Sequence, residues 1–129
     1  MKNTWREFEY DEYTIIDLGR TATFLIPTLC LSAVLPNGRD VEDDLREYLT
    51  LNFGCFSESK ISEFYVWMNK ETILDYNRSS ILFEVYLVNK DRVEPLRQKL
   101  SELARLLGEE FIYFGIGGHF CLIKPKLIS

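Results

Sequence analysis

The stretch SILFEVYLVNKDRVEPLRQKLSELARLLG, from Ser80 to Gly108, changes its hydrophobic period once, and that change decides the fold class. From Ser80 to Val88, Ile81, Phe83, Val85 and Leu87 fall on one side, and Leu82, Glu84, Tyr86 and Val88 on the other. A period of two with both sides occupied predicts a strand. From Asp91 onward, Val93, Leu96, Leu100, Leu103 and Leu107 recur at helical spacing, which predicts a helix over Asp91–Leu107. Asp91 and Glu94 stand in capping-box order, and Pro95 falls in the first turn, where a missing N–H costs little. Gly108 supplies the stop.

The same grammar extends upstream. Thr28–Leu35 sets Leu29, Leu31, Ala33 and Leu35 against Cys30, Ser32 and Val34, which predicts a first strand ended by Pro36-Asn37-Gly38. Val41, Leu45, Tyr48, Leu49 and Phe53 then predict a helix from Asp40, with Asp40 as N-cap and Gly54 as stop. Ile61–Met68 predicts the second strand, and the polar Asn69–Ser80 a loop. Downstream, Phe111–Ile116 and His119–Ile123 predict either a hairpin or one bent strand around Gly117-Gly118, with the bent strand favoured. Residues 1–20 form an extension in which Trp5, Phe8, Tyr10 and Tyr13 alternate with Glu7, Glu9, Asp11 and Glu12; Tyr13–Leu18 has the texture of a short strand.

Strand-helix-strand twice over is the β-α-β-β-α-β order of an α+β, ferredoxin-like domain: a four-stranded antiparallel sheet with two helices on one face. No linker or repeat divides the chain, so residues 1–129 are read as a single domain with its core at 22–123. The run from Leu29 through Pro36-Asn37-Gly38-Arg39, with the acidic helix ending near Phe53, resembles several small bacterial ferredoxin-like families. The aromatic strand around Trp67 and the run Leu107-Gly-Glu-Glu-Phe-Ile-Tyr113 share in that resemblance. Some of those families have no assigned function, and others pack sheet on sheet as dimeric α+β barrels. The resemblance carries no catalytic residue across.

Charge narrows the functional classes. The chain has a net charge of −5, and seven carboxylates face three basic residues between Asn37 and Glu63. A general phosphate-backbone binder draws its affinity from a basic footprint, so nucleic acid is not an expected partner. The apolar run Phe24–Leu35 is interrupted by Pro27 and too short to span a bilayer. Cys30, Cys55 and Cys121 are widely spaced and form no zinc-type pair, which reads as buried thiols of a cytoplasmic protein without metal or cofactor. Gly115-Ile-Gly-Gly lacks the Lys-Ser/Thr of a phosphate loop.

Two helices cover one face of a sheet. Leu29, Leu31, Phe64, Val66, Phe83, Val85, Ile112 and Phe114 suit the covered face. The opposite side would then carry Val34, Tyr65, Trp67, Leu82, Glu84, Tyr86, Val88 and Tyr113, more apolar surface than a monomer leaves bare. A second copy, the N-terminal extension, another protein or a ligand would cover it. The reading this favours is a non-catalytic protein-binding or self-associating module, in one version an acidic inhibitor or immunity-type protein of a bacterium or phage that engages a basic partner through Asp43, Asp44 and Glu47. The alternative is a small-molecule-binding domain or small enzyme whose pocket lies on the open face, lined by Tyr65, Trp67, Glu84, Tyr86, Tyr113 and His119. Within that alternative, a buried Glu84 would have a raised pKa, and His119, the single histidine, would be a general base.

Overall fold

The computed structural model describes residues 6–61, 64–68, 71–76, 79–87 and 90–126, with side chains described outside 64–76, 87 and 90. In chain order the elements are β1 (Arg6–Glu9), β2 (Thr14–Asp17), β3 (Arg20–Pro27), a single-turn helix α1 (Thr28–Leu31) and α2 (Val41–Asn52). Then follow β4 (Phe56–Ile61), β5 (Phe64–Met68), β6 (Glu71–Tyr76) and β7 (Ser80–Leu87). After a 3₁₀ turn at Lys90–Arg92 come α3 (Val93–Leu107), β8 (Ile112–Ile116) and β9 (His119–Ile123).

The main sheet has five strands in the order β4-β7-β3-β8-β9, every neighbour antiparallel. This corrects the expected four. The added strand exists because Gly117 and Gly118, at φ 56° and 80°, close a two-residue hairpin, not a bend in one strand. β1–β2 and β5–β6 form separate two-stranded sheets.

The first sheet strand is also displaced. It occupies Arg20–Pro27, in full register with β7, where Thr21 and Thr23 alternate with Ala22 and Phe24. The Thr28 N–H bonds to the Ser79 carbonyl at 2.9 Å, after which the chain turns into α1 and leaves Leu29 67% exposed. A short apolar run satisfies strand and helix patterns alike, and here the helix turn wins. Likewise Ile61–Met68 is divided between β4 and β5, and the expected loop at Asn69–Ser80 contains β6.

The ends of the long helices lie closer to their sequence signals. The Asp40 carboxylate accepts from the Asp43 N–H at 2.8 Å, and Glu42, Asp43 and Asp44 occupy the first turn of α2. α3 ends at Gly108, whose φ of 70° lets the Glu109 N–H return to the Ala104 carbonyl. Its start departs from expectation: the N-cap position is Arg92 with no side-chain cap, so the Asp91–Glu94 box does not form. Leu45, Leu49, Leu96, Leu100 and Leu103 pack with Phe24, Phe83, Val85, Ile112 and Phe114, placing both long helices on one face of the sheet. No helix among the described residues is long and apolar enough to cross a membrane.

Candidate functional site on the open sheet face

Strand alternation sends the remaining side chains to the other face. Three cross-strand rows follow from the register. Next to Pro27, Ser80 pairs with Ile61. The second row begins with Ser59, Leu82 and Leu25 and ends with Tyr113 and Leu122. The third runs Ser57, Glu84, Thr23, Gly115, Phe120. Beyond it Tyr86 pairs with Thr21.

The face is graded along the strands. At the Leu25 end it is apolar: Leu25 is fully buried under Ile61, Leu82, Phe111, Tyr113 and Leu122. The Ser80 hydroxyl is also buried there and has no hydrogen-bond partner among the described residues. One row further it is polar and includes a carboxylate. Glu84 is half-buried, flanked by Ser57 on the neighbouring edge strand and by Thr23 on the central one.

The far end of the polar row is a shelf. A Cβ at Gly115 would lie 2.3 Å from Cδ1 of Phe120 and 3.1 Å from Oγ1 of Thr23, so the missing side chain is what lets the Phe120 ring lie flat across β8. Tyr113 stacks on the same ring, centroids 5.6 Å apart and planes within 14°. Phe120 remains 57% exposed. Burial pushes the Tyr113 phenol pKa up, and the adjacent Cys121 adds to the shift. With strands about 4.8 Å apart, Glu84 stands roughly 10 Å from the centre of that shelf.

Of the expected site residues, Glu84, Tyr86 and Tyr113 share this face. His119 does not: it pairs with Ile116, which packs toward the helix-side core, and it sits exposed beside the hairpin turn. Tyr65 and Trp67 belong to β5, outside the five-stranded sheet, and their side chains lie outside the described residues, as does Val88. Val34 is off the sheet, bridged to Asp40 and 71% exposed. Phe120, Gly115 and Thr23 were missed. The signal was available: once Gly117-Gly118 is a two-residue turn, Gly115 must face Phe120.

Two of the three acidic candidates, Asp44 and Glu47, are paired within the chain. Lys99 donates to Asp44 at 2.8 Å and Arg39 lies 2.9 Å from Glu47, while Asp43 serves the first turn of α2. The Lys99 hydrogen bond holds the Asp44 carboxyl below its ordinary pKa, against the opposing effect of burial. A hollow of about 330 Å³ opens at the outer edge of β4, where Arg46 is held by both oxygens of Glu58 and by Glu42. Its guanidinium is committed to those carboxylates.

No protein-family model matches the chain, and no curated protein does. Among solved structures the chain is similar to a phage SAM lyase in complex with S-methyl-5′-thioadenosine, at 12% identity and a TM-score of 0.47 over 86% of this chain and 93% of that one. A phage SAM lyase in the apo state gives 13% identity and a TM-score of 0.46 over the same shares. These neighbours are an enzyme. The expectation of a non-catalytic binding or assembly module finds no support in these neighbours.

Proposed function

We propose that the chain is a small-molecule-binding domain, acting as a small enzyme, whose ligand lies on the open sheet face. The ligand class that fits is a planar ring joined by a short linker to a cationic group. The observation that supports this is the Ser57–Glu84–Thr23–Gly115–Phe120 row, which sets one carboxylate and one partly exposed aromatic ring on a single line. The ring stacks on Phe120 and the cation pairs with Glu84, the one acidic residue of the row. We read β4-β7-β3-β8 as the ferredoxin-like core with β9 added at its edge, and the protein as cytoplasmic.

S-adenosylmethionine and S-methyl-5′-thioadenosine, the compounds named with the phage lyase, serve as probes because one carries a sulfonium cation and the other does not. Glu84→Gln should weaken a cationic ligand by tenfold or more, the size of a lost hydrogen bond to a charged group, about 1.5–3 kcal/mol. It should leave the affinity of the neutral thioether nearly unchanged. Calorimetric titration of both variants reads this directly. Equal losses for both compounds, or no binding of any ring-plus-cation probe to the native chain, would defeat the assignment.

A further inference from the structure

The hairpin formed by β1 and β2 carries a second, separate surface. Its register pairs Phe8 with Ile15, and Tyr10 and Tyr13 continue the same side, stacked at 4.9 Å. These four side chains are 44–58% exposed. The reverse side pairs Glu9 with Thr14, whose hydroxyl donates to the Glu9 carboxylate at 2.8 Å. A two-stranded hairpin with a bare apolar side is marginal on its own and gains stability by docking.

The two edges of the main sheet differ in what they would accept. β4 carries Glu58 and Lys60, with Arg46 clamped onto Glu58, the charged protection expected of a solvent edge. β9 reads His-Phe-Cys-Leu-Ile, without Lys, Arg, Asp, Glu or Pro, and pairs with β8 in unbroken register. Its outer backbone edge is unpaired among the described residues, and Cys121 is exposed. Charge matches as well: the arm from Arg6 to Asp17 has five carboxylates and one arginine, and β9 runs into Lys124 and Lys126.

The arm cannot reach this edge in its own molecule. Leu18 and Gly19 join β2 to β3, and three extended residues span at most about 11 Å. The slot outside β9 lies three strand spacings from β3, about 14 Å. Yet Arg20 lies against Gly117, so the root of the arm and the tip of the β8–β9 hairpin share one end of the molecule. We infer that the β1–β2 arm of one copy adds to the β9 edge of a second copy, strand on strand, with its acidic residues beside Lys124 and Lys126. This surface does not include Glu84, and it shares with the ligand site only Phe120, through its backbone on β9.

Light scattering of the full chain across a concentration range tests it. The expected mass is a multiple of 15.2 kDa. Phe8→Lys with Ile15→Lys on the arm, and separately Cys121→Lys on the edge, should each return the chain to a single-copy mass with unchanged circular dichroism. Lys60→Ala on the opposite edge should leave the assembly intact. A native chain that stays at single-copy mass throughout overturns the inference, as does an assembly that survives the arm substitutions. Dissociation by the arm variant but not by a folded Cys121→Lys chain overturns the choice of β9. Glu84→Gln, which tests the ligand site, should not change the mass.

Discussion

The two faces of the five-stranded sheet are written by the same strands, yet they differ in kind. On the helix side, Ala22, Phe24 and Ile26 of β3 meet Phe83 and Val85 of β7, all fully buried, with Phe24 and Phe83 stacked at 5.1 Å. On the open side the interleaved residues are Thr21, Thr23 and Leu25 of β3 against Leu82, Glu84 and Tyr86 of β7, of which only Leu25 is fully buried. A face that serves only as core is apolar throughout. The open face is apolar at one end and polar at the other, with an aromatic ring laid over a glycine. The comparison teaches where to separate stability from function, and substitutions on the two sides should fail in different ways.

The largest effect is expected on the helix side. Phe83→Ala removes a ring from the middle of the packed layer and should cost about 3–5 kcal/mol in chemical denaturation. Leu25→Ala probes the open side at its one core-like position. A loss of about 2–3 kcal/mol is expected, the low end for a buried leucine, because the small cluster around it can relax toward solvent. A loss equal to that of Phe83→Ala would break the comparison and mean that the open face is core at both ends.

Asp44→Asn acts between the helices and should cost about 1 kcal/mol at neutral pH, the net worth of its bond to Lys99. The sign of the pH dependence follows from the direction of the shift. The folded-state pKa of Asp44 lies below its unfolded value, so its contribution is complete above the ordinary carboxylate range and disappears as the pH falls through the folded pKa. The native chain should therefore lose more stability than Asp44→Asn on acidification, and the two denaturation curves should converge. Parallel curves would remove Asp44 from the acid transition.

Much of this was legible from residue patterns, for reasons that can be named. The strand at Ser80–Leu87 and the helix after it came through because long periodic segments leave few alternatives. Asp40 and Gly108 marked helix ends because each satisfies backbone groups that nothing else supplies. The first strand was misplaced because Thr28–Leu35 is apolar enough to suit either period, and long-range pairing to β7 chose Arg20–Pro27 instead. Glu84, Tyr86 and Tyr113 were placed on one face by alternation alone. Tyr65 and Trp67 were assigned to that face because a run of alternating residues conceals where a strand leaves one sheet for another. The aromatic shelf stayed invisible for a related reason: it depends on the turn at Gly117-Gly118 being a hairpin, a tertiary fact worth one strand of the fold.

The smallest effect on stability, and the sharpest test of the open face, comes from Phe120→Ala. The ring is more than half exposed and its partners are cross-strand neighbours, so truncation should cost about 0.2–1 kcal/mol. If the shelf holds a planar ring, the same change should weaken such a ligand by a larger factor, since a stacked aromatic pair contributes about 0.5–1.5 kcal/mol beyond the area it buries. Phe120→Ala should then weaken the neutral and the cationic probe alike, whereas Glu84→Gln should separate them. That contrast distinguishes a shelf that receives the ring from one that only shields Gly115. Were Phe120→Ala to cost several kcal/mol in folding and nothing in binding, the ring would belong to the core of the sheet's edge, and the division between the two faces would have to be redrawn one strand further in, at Thr23.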